Sequence, residues 1–297
     1  MATPKAIAAL LVVTIGVLWG LNWPAVKFIL GELPPWTFRA LAFGFGGLLL
    51  ALIARASGER LTIPRRDRMA LIAASVLTVF GFNLLTAFGQ LLTETSKAAI
   101  IAFTMPMWAA LLSAVFLKEG LGLNRLVSLA LGMGGLVLLL ASNGAEYVER
   151  PAGFLVMLAA AVSWAGGTIV LKRHAWETGA LARSAWLVGI SAVPAAAGAI
   201  ALEQPWMLHT PSVPVLAVLT FHVIGPVAIC YAAWTALIAR LPATTAAIGT
   251  LLIPVVGVLS SSLLLGDQLT LAKLAALGLI VASVAFVLVR PLGPAKR

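Results

Sequence analysis

The chain is a succession of apolar runs, each about twenty residues long, separated by short polar breaks. A helix needs about 20 mostly apolar residues to cross a bilayer. Within lipid each backbone N–H and C=O must find a partner inside the protein, which leaves helices or closed barrels. Barrel strands alternate apolar and polar over about 10 residues, and these runs do not alternate. Ten segments are expected, at 6–29, 36–54, 69–90, 97–117, 124–142, 153–173, 183–202, 213–238, 244–265 and 270–289. Only 10% of the residues are charged and the mean hydropathy is +1.06, against about 25% charged in a soluble domain. The expected fold class is an all-α membrane protein with ten transmembrane helices and with membrane lipids as its surroundings. The first run, MATPKAIAALLVVTIGVLWG, is too long for a cleaved signal and is expected to be the first crossing helix.

A net charge of +10 would suggest nucleic acid in a soluble protein. Here it reads as topology, because cytoplasmic loops of membrane proteins gather Lys and Arg. With the N-terminus inside, fifteen of the twenty Lys and Arg fall on the cytoplasmic side, densest in ERLTIPRRDR at 59–68. Both termini are therefore expected in the cytoplasm of a cell with this protein in its inner (plasma) membrane. No nucleic-acid partner is expected. The single cysteine, Cys230, excludes an internal disulfide and a Cys-based metal site, and no cofactor or metal motif occurs.

The chain repeats. At an offset of 148 residues Pro106 meets Pro254, Leu111 meets Leu259, Ser113 meets Ser261 and Glu119 meets Asp267. At 145, Trp19 meets Trp164 and Lys27 meets Lys172; at 144, Arg39 meets Arg183. Residues 1–145 and 150–297 are thus expected to be two copies of five helices. Five is odd, so the second copy runs inverted. Inverted repeats give transporters two near-equivalent states and a substrate site between the copies near the midplane.

Trp19-Gly20-Leu21-Asn22-Trp23 with Lys27, and Pro106 with the terminal Leu117-Lys118-Glu119, resemble the EamA domain of the drug/metabolite transporter superfamily. Pro254 with Leu265-Gly266-Asp267 resembles its second copy. The chain is most similar to YddG-type exporters of aromatic amino acids. The resemblance implies a ten-helix exporter of small metabolites with a cavity lined from both halves. The second copy departs from the pattern, with Ala165-Gly166-Gly167 where the first has Gly20-Leu21-Asn22.

All ten acids lie in loops or within a turn of a helix end. The small multidrug exporters, a sister family, carry a mid-membrane glutamate in the first helix, where this chain offers Asn22. A permanently charged cation is therefore a poorer substrate. His222, in the eighth segment, is the candidate for proton coupling, against a neutral hydrogen-bonded role. The candidate substrate-binding residues are Trp19, Asn22, Phe80, Phe82, Phe103, Met107, Trp108, Trp164, Tyr231 and Trp234. Buried indole N–H and phenol O–H groups need partners, and an aromatic wall suits a planar ring or a cation. Trp36, Trp176 and Trp206 are expected in the interfacial belt. Pro106 and Pro254 are candidate kinks or hinges, freeing carbonyls at Ala102 and Thr250, and Pro24 plays a similar role in the first helix. Gly44, Gly46, Gly47, Gly132, Gly134 and Gly135 allow close helix packing. Arg39 and Arg183 start helices, and Lys27 and Lys172 end them; a substrate carboxylate could use one of these as a counter-charge near the cavity mouths, but snorkelling to the headgroups is the commoner fate.

An enzyme is not expected. Gly189-Ile190-Ser191 with His222 is a distant match to an intramembrane serine protease, and Ala192 stands where a glycine is needed. Small-drug or quaternary-cation efflux and a nucleotide-sugar-like carrier are the alternatives to amino-acid export. The expected mode is alternating access by a monomer, facilitative or secondary-active, on a small-molecule substrate.

Overall fold

The computed structural model describes residues 4–116, 123–142, 151–233 and 252–289. Its rods are α1 (Pro4–Ile29), α2 (Pro35–Ala56), α3 (Arg65–Leu92), α4 (Thr95–Phe116), α5 (Leu123–Ser142), α6 (Ala152–Arg173), α7 (Ala180–Glu203), α8 (Val213–Ala233), α9 (Leu252–Leu265) and α10 (Leu271–Val289). Six of them, α2, α3, α4, α6, α7 and α8, are long and apolar enough to cross a membrane. α1, α9 and α10 contribute the shorter apolar stretches Val13–Ile29, Leu252–Leu265 and Leu271–Ser283. The described residues contain no strand. This is a multi-pass helical membrane protein.

The broadest contacts join α2 to α7, α3 to α6, α5 to α10, α1 to α9, α4 to α6 and α3 to α7, and α4 also meets α9. Every one links a helix before residue 143 to a helix after residue 150. Advance each label by five. The pairs α2–α7, α5–α10 and α4–α9 return to themselves, α1–α9 becomes α6–α4, and α3–α6 becomes α8–α1, which also touch. Small residues make the close crossings, as lipid-embedded helices require. A Cβ on Gly47 would lie 2.9 Å from the Gly189 Cα, and one on Gly135 3.0 Å from the Ala276 carbonyl. Gly46 and Gly132 also sit at interfaces, whereas Gly44 and Gly134 face no atom within 4 Å.

Two helices change pitch at matching places. α3 carries a π-helical segment at Ser75–Gly81 and α8 one at Val223–Ile229. The 148-residue offset carries the first onto the second. A π turn inserts a residue and leaves a carbonyl short of its usual partner. Here the neighbouring helix supplies a donor: Ser163 Oγ on α6 donates to the Leu77 carbonyl at 2.7 Å, and Trp19 Nε1 on α1 donates to the Pro226 carbonyl at 2.8 Å.

The loop acids do more than mark helix ends. Glu203, closing α7, accepts from the Trp36 and Thr37 amides and the Thr37 hydroxyl at 2.9, 2.7 and 2.9 Å. Glu59, just past α2, accepts from the Leu181 and Ala182 amides at 3.3 and 2.9 Å. Each of these two helices thus ends in the acid that caps the other's start. Asp267 likewise accepts from the Ser96 amide at the start of α4, at 2.7 Å. Glu32 takes the amide and hydroxyl of Ser212 at the head of α8, both at 2.6 Å. These carboxylates satisfy otherwise orphaned N–H groups and meet the positive end of the helix dipole. Glu119 lies outside the described residues.

The break at Pro106 is local. The α4 backbone leaves regular helix at Phe103–Thr104 and resumes at Met105. Thr104 Oγ1 donates to the Ile101 carbonyl at 2.7 Å and accepts from Trp108 Nε1 at 3.2 Å. α1 continues through Pro24. Pro254 sits in the first turn described for α9, and Thr250 before it lies outside the described residues.

Candidate functional site

Four rings from both halves meet. Trp19 on α1 lies edge-on to Trp164 on α6, with centroids 6.4 Å apart, and to Tyr231 on α8 at 5.8 Å. Phe82 on α3 meets Trp164 at 4.8 Å. Phe82 stands immediately beyond the first π turn and Tyr231 two residues beyond the second. The repeat-related tryptophans differ in one respect. The Trp19 N–H is held by the Pro226 carbonyl, while the Trp164 N–H has no acceptor among the described residues.

Beside the rings lies a buried polar chain that joins Arg39, His222 and Asn22, which the sequence singled out separately. Arg39 on α2 is 1% exposed. Its Nε donates to the Asn83 carbonyl at 2.9 Å, and its Nη1 lies 3.4 Å from His222 Nε2. His222 Nδ1 lies 2.5 Å from Asn22 Oδ1. The neutral tautomer with hydrogen on Nδ1 satisfies both contacts, because it donates to Asn22 and accepts from Arg39. Phe38 packs against both, its centroid 4.3 Å from the guanidinium carbon and 4.9 Å from the imidazole. The Asn83 side chain lies near the Tyr231 hydroxyl and donates to the Val79 carbonyl at 2.8 Å. Asn22 is one turn from Trp19, and Asn83 follows Phe82, so the chain and the ring cluster share three helices.

Arg39 therefore does not snorkel, contrary to expectation. Its repeat mate Arg183 is half-buried, lies over Trp176 at 5.2 Å, and is attracted by Asp67 and Glu59. Two other buried cations, Lys97 and Lys273, pair with Glu94. Arg39 has no acid within ion-pair distance among the described residues. The clue in the sequence was arithmetical: Glu59 and Glu203 share the 144-residue offset of Arg39 and Arg183.

Two other candidates border the four rings, Phe103 sharing a hydrophobic cluster with Trp19 and Phe82, and Phe80 one with Trp19 and Tyr231. Phe80 faces Trp36 at 5.9 Å, and Phe103 faces Trp23 at 6.4 Å. Met107 is buried against Gly132 on α5, and Trp108 bonds within its own turn. Trp234 lies outside the described residues. Of the expected belt tryptophans, Trp206 is exposed, but Trp36 packs on Phe80 and Phe88, and Trp176 donates to the Leu171 carbonyl. A depression of about 410 Å³ opens between Lys27 at the end of α1, the Leu91–Thr95 turn, Leu265 and Asp267.

Comparison with known proteins agrees with this architecture. The chain is 29% identical to the uncharacterized transporter YvbV of Bacillus subtilis, over 96% of this chain and 92% of that one. It is 29% identical to a probable amino-acid metabolite efflux pump of Salmonella typhimurium, over 95% and 94%. The Escherichia coli protein of the same description is 28% identical, over 91% and 90%. A crystal structure with 24% identity shares the fold, with a TM-score of 0.70 over 95% of this chain and 96% of that one. The family model for EamA-like transporters matches twice, over residues 6–141 and 151–289. Two matched units of helices, interlocked across a cluster of rings and a buried cation, place this chain in the EamA-like transporter family.

Proposed function

We propose that the protein exports small amphipathic amino acids, aromatic ones above all, by alternating access. Its ten helices cross the inner membrane as two inverted repeats, 1–145 and 150–297, with both termini in the cytoplasm. The observation that carries this reading is the ring cluster built from Trp19, Phe82, Trp164 and Tyr231. Aromatic side chains offer edge-on and offset faces to a planar guest, and here they come from both halves. The Trp164 N–H, which has no acceptor among the described residues, would give such a guest a donor. The reciprocal contact pattern, in which helices trade places under the five-label shift, supports an inverted pair able to rock about its shared interface. The printed descriptions of two relatives as amino-acid metabolite efflux pumps support the substrate class.

In proteoliposomes, labelled phenylalanine or tryptophan should move down its gradient without ATP. Trp164→Ala should lower transport of aromatic substrates relative to leucine while the folded yield holds. Folded protein that moves no aromatic amino acid would refute the substrate assignment.

A further inference from the structure

Resting on that reading, we infer that Arg39 is the counter-charge for the carboxylate of the transported molecule. A guanidinium stays charged under any condition the protein meets. A charge within the membrane span is stable only when paired, hydrogen-bonded or facing water, and intramembrane ionisable groups mark the substrate path. Arg39 meets these demands incompletely. Of its five N–H groups, one is held by the Asn83 carbonyl and one lies against His222 Nε2. The other three have no acceptor among the described residues. Phe38 contributes a ring face, and with no acid within ion-pair distance among the described residues a positive charge stands 1% exposed.

Two features distinguish this from a structural arginine. The first is internal: the same position in the second copy, Arg183, is half-buried and attracted by Glu59 and Asp67. The duplicated arginine is balanced in one copy and unbalanced in the other. The second is location. Asn83 accepts Arg39 on its backbone and meets the Tyr231 hydroxyl with its side chain. Its neighbour Phe82 meets Trp164 edge-on. A molecule with a ring among Trp19, Phe82 and Trp164 would direct a carboxylate toward the α2–α3–α8 wall where Arg39 stands. A planar, bidentate carboxylate matches the guanidinium fork.

The test measures ligand-induced stabilisation of purified protein in detergent, with 3-phenylpropanoate, phenethylamine and L-phenylalanine as probes. The wild type should be stabilised by phenylalanine and by 3-phenylpropanoate, and at least about tenfold less potently by phenethylamine, which lacks the carboxylate. Arg39→Gln should abolish that preference, and Arg39→Lys should keep part of it. Equal potency of phenethylamine and 3-phenylpropanoate on the wild type overturns the inference without any variant. So does an Arg39→Gln protein that still prefers the carboxylate, or a wild type that no carboxylate probe stabilises. If 3-phenylpropanoate binds through Arg39 while phenylalanine is neither bound nor moved, the inference stands and the aromatic amino-acid reading falls.

Discussion

Removing the acid that closes α7 should loosen the start of α2, more than 150 residues away in sequence. Glu203 holds three donors there and Glu59 holds two at the start of α7. Loss of a capping side chain costs about 0.5–2 kcal/mol, and loss of the charge at the helix dipole adds about 0.3–1 kcal/mol. Weighting by the bonds lost, Glu203→Ala should cost about 1.5–2.5 kcal/mol and Glu59→Ala about 1–2 kcal/mol. At about 2–4 °C per kcal/mol, these become drops in Tm of roughly 3–10 °C and 2–8 °C. The 22 residues of α2 separate the two caps by about 33 Å at 1.5 Å per residue, so the double variant should show the sum. Glu177→Gln is the control. Its pair with Arg66 is about half exposed on both sides, and such pairs contribute about 0–1 kcal/mol. Thermal unfolding followed by tryptophan fluorescence reads all four proteins. If Glu203→Ala unfolds no earlier than Glu177→Gln, the bonds between α7 and α2 do not hold the helix start, and the reasoning is wrong.

Two further outcomes are expected. Gly167→Ala would place a Cβ 1.9 Å from Thr78 Oγ1 and 2.8 Å from its backbone nitrogen, so it should lose about 1–3 kcal/mol through overpacking. Gly44→Ala meets no atom within 4 Å and should gain about 0.5–1 kcal/mol from helix propensity; melting curves of the two variants should move in opposite directions. Glu32 is held below its ordinary value of 4.5 by the Ser212 hydroxyl and amide. A depressed carboxyl stabilises fully above its unfolded value and loses that contribution as pH falls through the folded one. Glu32→Gln should therefore flatten the acid side of a Tm-versus-pH curve below about pH 4.5, and an unchanged acid limb would count against the cap.

The rods were legible because lipid imposes a length and forbids polar interruptions. The expected 36–54 became Pro35–Ala56, and 153–173 became Ala152–Arg173. The Trp19–Trp164 contact was legible through the repeat. Arg39 was legible only as one of four cations at helix ends that could face a substrate carboxylate, because its burial depends on how α3 and α8 pack around α2. The cross-half caps were hidden for the same reason: Glu59 looks like one more loop acid until α7 is brought to it. Pro106 was legible as an interruption, but its hydrogen bonds depend on Thr104, whose hydroxyl turns to the Ile101 carbonyl. The π turn of α3 was illegible, since SVLTVFG carries no proline, whereas in α8 Pro226 within VIGPVAI stands at the place.

Those two turns carry a consequence for anyone who numbers faces along α3 or α8. An α-helix rotates about 100° per residue, so one inserted residue turns everything beyond it by about that angle. A cysteine or tryptophan scan down α3 should follow a single 3.6-residue rhythm to Ser75, then slip in phase and resume beyond Gly81. α8 should slip between Val223 and Ile229. A helical wheel drawn straight through either turn would assign lipid-facing residues to the substrate path and path residues to lipid.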